Sequence, residues 1–136
     1  MDKFTRNYSI FLAIIALASL VWALYEDPQV SEINDLLEQD KIVSSYPYKF
    51  HLLRLKNGVA VISTPRNSEF PVFKALAILY PHLANRDQDN PDLIEAQQQM
   101  AEVQKRVKRI VMETGKVKQV RWELDREWLA SHGIMP

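Results

Sequence analysis

The sequence predicts an α+β protein, in which an N-terminal single transmembrane helix is followed by a small domain with a three-stranded antiparallel sheet packed against two or three helices. Three features predict it. The stretch from Asn7 to Tyr25 is uncharged, residues 48–64 read as two strands around Asn57-Gly58, and apolar residues recur with helical spacing after Asn90. We expect residues 1–25 to form a cytoplasmic tail and a membrane anchor, and residues 26–136 to form an extracytoplasmic α+β domain.

The uncharged stretch is long enough to cross a bilayer. About 19 helical residues span about 28 Å, close to the ~30 Å hydrocarbon core of a membrane. Lys3 and Arg6 precede the stretch, whereas Glu26 and Asp27 follow it. Because basic residues tend to stay on the cytoplasmic side, we expect a cytoplasmic N-terminus and a domain on the opposite side.

Two alternatives to a retained anchor stay open. Lys3 and Arg6 could begin a cleaved signal peptide, with Ala16-Leu17-Ala18 as a small-x-small cleavage site. Cleavage there would leave a short apolar region upstream and an apolar N-terminus on the mature chain. A buried core helix is disfavoured, because such a helix normally carries polar residues along one side.

The next two elements are a short helix and a hairpin. An amphipathic helix is predicted from Pro28 to Gln39, since Pro suits a first helical turn and apolar residues follow at helical spacing. The dipeptide Asn57-Gly58 favours a type I′ turn between two strands. That turn places one apolar face on the hairpin, with Leu55 opposite Ala60 and Leu53 opposite Ile62.

The second half of the domain alternates helix and strand. The apolar segment 69–80 predicts a helix buried against the sheet, although Val72 and Phe73 leave a strand possible. Asn90 and Gly115 bound the strongest helix. The strand that follows carries Val120, Trp122 and Leu124 on one face and is expected to join the hairpin, before a last short helix between Asp125 and Gly133.

Charge is segregated along the chain, although 17 basic and 17 acidic residues cancel. Residues 26–40 contain no Lys or Arg. In residues 103–121, by contrast, every charged residue except Glu113 is basic. The two blocks could neutralise each other, or the basic block could dock on an acidic partner or on anionic lipid headgroups. This possible basic surface comprises Lys105, Arg106, Lys108, Arg109, Lys116 and Lys118. Nucleic acid is not an expected partner, because no aromatic residues are interleaved with these cations.

No motif predicts catalysis, a cofactor or a metal site. The histidines His51, His82 and His132 have no paired spacing, and the chain lacks cysteine. One loop gathers hydrogen-bond donors beside a predicted helix N-terminus and could bind an anion or a partner; its residues are Arg66, Asn67 and Ser68. The alternative is ordinary loop chemistry, in which Asn67 or Ser68 caps a helix.

These features lead to two hypotheses about function. The first is a membrane-anchored, non-enzymatic protein-binding or accessory subunit of a membrane or envelope assembly. The second is a small ligand- or anion-binding domain, possibly enzymatic, that uses the Arg66 loop. The layout of the chain resembles that of small single-pass proteins of bacterial inner membranes, although no motif is shared. This resemblance implies an inner-membrane location with a periplasmic domain.

Overall fold

The computed structural model describes residues 2–24 and 27–135, so the predicted boundary between residues 25 and 26 lies outside the described residues. The order of elements is α1 (Lys3–Leu24), α2 (Pro28–Gln39), α3 (Lys41–Ser45), β1 (Leu52–Lys56), β2 (Val59–Thr64), α4 (Val72–Leu79), a 3₁₀ turn (Pro81–Leu83), α5 (Pro91–Glu113), β3 (Gln119–Leu124) and α6 (Arg126–Ser131). The α+β prediction is therefore confirmed.

Three of the predicted helices begin at a capping side chain. Asp27, Asn90 and Asp125 each accept a hydrogen bond from a backbone N–H in the first turn of α2, α5 and α6, respectively. The predicted spans of these helices are confirmed. The segment 72–79 is helical and not a strand. The short helix α3 was not predicted; Asp40 caps it by accepting from the N–H of Val43 at 3.0 Å.

The sheet has the order β1-β2-β3 and is mixed, so the prediction of an antiparallel sheet is wrong for its third strand. β1 and β2 form the antiparallel hairpin, with Asn57 and Gly58 at φ 54° and 76°. β3 runs parallel to β2. The connection through α4 and α5 returns the chain to the starting end of β2, where Gln119 donates its N–H to the carbonyl of Gly58.

The hairpin register is partly as predicted. Leu55 pairs with Ala60, as expected, but the pairing of Leu53 with Ile62 is wrong. An irregularity in β1 between Leu52 and Arg54 shifts the register, so Leu52 lies opposite Ile62. Leu52 is 2% exposed, whereas Leu53 is half-buried. Because of the shift, Leu52 and not Leu53 is the residue that β1 buries in the core.

The core lies between the sheet and the apolar stripes of the helices. α2 contributes Val30, Ile33 and Leu37, and α4 contributes Ala75 and Leu76. The longest stripe, on α5, comprises Leu93, Ala96, Met100, Val103, Val107 and Val111. The aromatic residues Tyr46, Tyr48 and Phe50 also belong to this core, with the Tyr48 and Phe50 rings edge to face at 4.9 Å.

Candidate functional site

Helix α1 is the most unusual surface of the protein. It is apolar around its whole circumference, and nothing in the described chain buries any part of its Lys3–Trp22 stretch. Phe4 is 76% and Trp22 is 82% exposed. Within the helix, the hydroxyl of Ser9 donates to the carbonyl of Thr5 at 3.0 Å. By length and composition α1 is a candidate membrane span, and a signal sequence would have the same properties.

The acidic and basic blocks of the sequence meet in the fold. Arg106 of α5 binds Asp40 through two hydrogen bonds of 2.7 Å, and Lys116 binds Glu32 of α2 at 2.8 Å. The hydrogen bonds from Arg106 hold the pKa of Asp40 below its usual value, and the Asp40 contact raises the pKa of Arg106. Mutual neutralisation therefore accounts for Arg106 and Lys116.

The rest of the predicted basic surface is not tied to α2. Lys105 lies 4.0 Å from Glu102 on its own helix. Lys108 and Arg109 are exposed on α5, and within residues 2–24 and 27–135 no carboxylate lies within 4.0 Å of either. The stem of Lys118 passes over the hairpin turn at Gly58. The six predicted residues thus have different neighbours, and two of them, Arg106 and Lys116, are paired with carboxylates of the acidic block.

The Arg66 loop is built around α5 and its own turn. Arg66 donates to the side-chain oxygen of Gln104 at 3.0 Å, and Gln104 donates to the hydroxyl of buried Thr64 at 3.0 Å. The side-chain oxygen of Asn67 accepts from the N–H groups of Glu69 and Phe70 at 2.8 Å. Asn67 therefore stabilises the loop itself, and α4 begins at Pro71 without a side-chain cap.

Ser68 lies in the same loop and is exposed. The structure thus places the three predicted residues next to one another in the loop. Of the three, Asn67 accepts the hydrogen bonds that close the loop, whereas Arg66 contacts α5 through Gln104. Anion binding at this loop stays a prediction.

A cleft of about 830 Å³ lies at the carboxyl end of β3. Its walls include His51 and Leu53 on one side and the segment from Trp122 to Trp128 on the other. Leu124 ends β3 and Asp125 follows it directly, so the parallel strand brings both residues beside the hairpin. The antiparallel sheet expected from the sequence would not have placed this cleft here.

Two polar pairs lie beside this cleft. Tyr48 donates to a carboxylate oxygen of Asp125 at 2.7 Å, and the Ser63 hydroxyl lies 3.0 Å from Nδ1 of His51. Burial raises the pKa of the Tyr48 phenol well above its usual value. The other oxygen of Asp125 accepts from the N–H of Trp128, and Ser63 is completely buried.

These pairs are structural contacts and not a nucleophile site. A substrate cannot reach the Ser63 hydroxyl, and both oxygens of Asp125 are engaged. Sequence reasoning missed both pairs, because their partners are 77 and 12 residues apart. The one available signal was the position of Ser63 and Thr64 directly after the apolar run of β2, where polar side chains become buried and need partners.

No group of three His, Cys, Asp or Glu residues in the described part of the chain is arranged to hold a metal ion. The three histidines have different neighbours: His82 lies against Tyr80, His132 lies against Trp128, and His51 pairs with Ser63.

The comparisons with known proteins add no further constraint on the site, since no family model, no curated protein and no solved structure matches this chain.

Proposed function

We propose that this protein is a membrane-anchored, non-enzymatic subunit whose folded domain binds another protein in a membrane or envelope assembly. The observation that carries the proposal is the all-round exposure of α1. A soluble protein rarely exposes a large contiguous apolar surface, because the hydrophobic effect drives such a surface into contact with other apolar groups. A lipid bilayer supplies that contact along the whole length of α1.

A retained span accommodates α1 better than a cleaved leader. The helix has 22 residues and therefore spans about 33 Å, slightly more than a hydrocarbon core. The small-x-small triplet Ala16-Leu17-Ala18 lies within this helix, so cleavage there would leave Leu20, Val21 and Trp22 at an exposed new terminus. We place the basic residues Lys3 and Arg6 in the cytoplasm of a bacterium and the domain in the periplasm.

The domain suits a binding role more than a catalytic one. The cleft at the carboxyl end of β3 is open to solvent, and the hydroxyl and carboxylate groups beside it are engaged in structural hydrogen bonds. Titratable groups at active sites usually have perturbed pKa values and access to a substrate. Tyr48 has a perturbed pKa, but its cause is burial in the aromatic core and its hydroxyl is bound to Asp125.

Anchoring can be tested by fractionating cells that produce the full-length protein. We expect the protein to resist extraction by alkaline carbonate and to keep its N-terminal residues. The paired variants Ala16→Leu and Ala18→Leu should leave its size and location unchanged, because no cleavage site is used. A soluble protein with a mature N-terminus after Ala18 or Ala23 would refute the anchored form.

Orientation can be tested because the chain has no native cysteine. Ser131→Cys lies on an exposed position of α6, and Asp2→Cys precedes α1. A membrane-impermeant maleimide added from the periplasmic side should label position 131 and not position 2. The reverse pattern would place the domain in the cytoplasm. Purification of the full-length protein in mild detergent should retain a stoichiometric protein partner; recovery of the chain with lipid alone would contradict the accessory role.

A further inference from the structure

Strand β3 is an edge of the sheet with a free hydrogen-bonding side. Gln119 and Asp125 donate their N–H groups to the carbonyls of Gly58 and Thr64. Successive residues of a strand point these groups to opposite sides, so those of Val120, Trp122 and Leu124 point away from β2. Among the residues described by the structure, none pairs with these outward groups.

The other edge of the sheet is protected. The side-chain oxygen of Asn34 accepts from the N–H of Leu52 at 2.6 Å, and its amide donates to the Leu52 carbonyl at 3.1 Å. The register shift between Leu52 and Arg54 further interrupts β1. Side-chain caps, irregularities and charges are the usual means by which proteins prevent edge strands from pairing.

β3 has neither a side-chain cap nor an irregularity, and its two charged residues, Arg121 and Glu123, are of opposite sign. It is six residues long, contains no proline, and pairs regularly with β2 along its whole length. Trp122 is 37% exposed on this strand, and its ring packs edge to face with that of buried Phe50, with centroids 6.1 Å apart. An aromatic side chain that is held in place and partly exposed is typical of an interface centre.

We propose that β3 pairs antiparallel with β3 of a second copy of this chain, with Trp122 facing the partner's Trp122 across a two-fold axis. In this register Val120 lies opposite the partner's Leu124. Arg121 lies opposite the partner's Glu123, and symmetry repeats each contact. The two sheets become one continuous six-stranded sheet, in which the charged residues of both copies share a face and the apolar residues share the other.

The charge pattern selects this register over its neighbours. Outward hydrogen-bonding groups must meet outward groups, so the two nearest alternative registers are centred on Arg121 and on Glu123. The first shift places two arginines directly opposite each other and the second places two glutamates there. Like charges directly opposite each other destabilise a strand pair. A parallel in-register pairing would also oppose identical charges.

Glu123 can serve both chains. Its two carboxylate oxygens accept from Arg54 of the same chain at 2.7 and 3.3 Å. A carboxylate has about four acceptor positions, so it can also accept from the partner's Arg121. The proposal extends the proposed protein-binding role by naming a second copy as a partner, and it does not depend on whether α1 stays in the membrane.

Charge reversal provides the first test. In full-length protein in detergent micelles, Arg121→Glu alone and Glu123→Lys alone should each weaken self-association about tenfold or more, because each opposes like charges twice. Mixed with each other, the two variants restore both opposite-charge pairs and should form a heterodimer. Lys108→Glu, an equal charge change on α5, should leave self-association unchanged.

The heterodimer also separates an interface effect from a folding defect, since misfolded variants would not recover on mixing. Self-association of Arg121→Glu at the wild-type level, or failure of the two variants to pair, would overturn the proposal. Sedimentation or energy transfer between labelled copies provides the readout. Neither method measures membrane retention. A result that refutes the dimer can therefore be told apart from one that refutes the membrane anchor.

The absence of cysteine allows a second test of the register. Opposed hydrogen-bonded residues of antiparallel strands have Cα atoms about 5.5 Å apart, within the range a disulfide can bridge. Trp122→Cys should therefore form a disulfide-linked dimer under mild oxidation. In this register, Arg121 and Glu123 each lie two residues away from the same residue of the partner. Arg121→Cys and Glu123→Cys should therefore form a disulfide-linked dimer at least tenfold more slowly. Equal cross-linking at all three positions, or at an exposed Lys108→Cys control, would overturn the register.

Discussion

Replacing Asn34 with alanine should destabilise the domain more than substitutions on the surface of a helix usually do. Asn34 makes both of its hydrogen bonds to the backbone of Leu52, which is 2% exposed. Each such bond contributes about 1 kcal/mol net, and a buried group left without a partner costs about 1–3 kcal/mol. Because water can reach part of the edge, we expect a total loss of about 2–4 kcal/mol.

Denaturant unfolding of the full-length protein in mild detergent, followed by tryptophan fluorescence, measures this loss as a lower midpoint at constant slope. Asn34→Leu keeps a similar side-chain volume without the hydrogen bonds and should lose a similar amount. Asp35→Ala, an exposed neighbour on α2, should change stability by less than about 0.5 kcal/mol. If Asn34→Ala and Asp35→Ala unfold alike, the side chain does not hold the β1 edge.

Three further predictions concern single contacts. Tyr46→Phe should be neutral or stabilising, because the buried Tyr46 hydroxyl has no hydrogen-bond partner in the described chain. Tyr48→Phe should cost about 1–2 kcal/mol, because one carboxylate oxygen of Asp125 then loses its donor; unfolding midpoints compare the two variants. The lowered pKa of Asp40 means that its contribution is complete above its ordinary value of 3.8 and is lost as the pH falls through the folded-state value. Asp40→Asn should therefore flatten the acid limb of a stability–pH curve, and an unchanged limb would contradict this. Arg66→Ala should abolish any phosphate or sulfate binding seen by calorimetry, with Arg66→Lys retaining part of it, and equal binding in all three proteins would exclude the loop as the site.

Local sequence signals predicted the helices well because the interactions that start and stop a helix lie within a few residues. Asp27 and Asn90 cap the helices that follow them, and proline occupies the first turn of each. The apolar periodicity of α5 predicted which of its faces is buried, since side chains three and four residues apart share a face. The short helix α3 escaped prediction because it has a cap at Asp40 but too few residues to show a period.

The candidate site was less predictable. The loop donors Arg66, Asn67 and Ser68 are neighbours in sequence, so their proximity was evident, but the contact of Arg66 with Gln104 was not. The segregation of charge suggested that the two blocks meet, although only the packing of α2 and α3 against α5 selects Arg106 and Lys116 for pairing. The free edge could not be recognised before the strand order was known.

The sequence by itself determined the apolar character and length of α1, the helix boundaries and the hairpin turn, because each depends on side chains close together in the chain. Tertiary structure alone decided that β3 runs parallel to β2, that Leu52 and not Leu53 faces Ile62, and that Asn34 covers one edge of the sheet while β3 leaves the other free. The physical reason is that strand direction, register and edge protection depend on contacts between residues distant in sequence. Those contacts form only when the long connection through α5 brings the chain back to the start of β2.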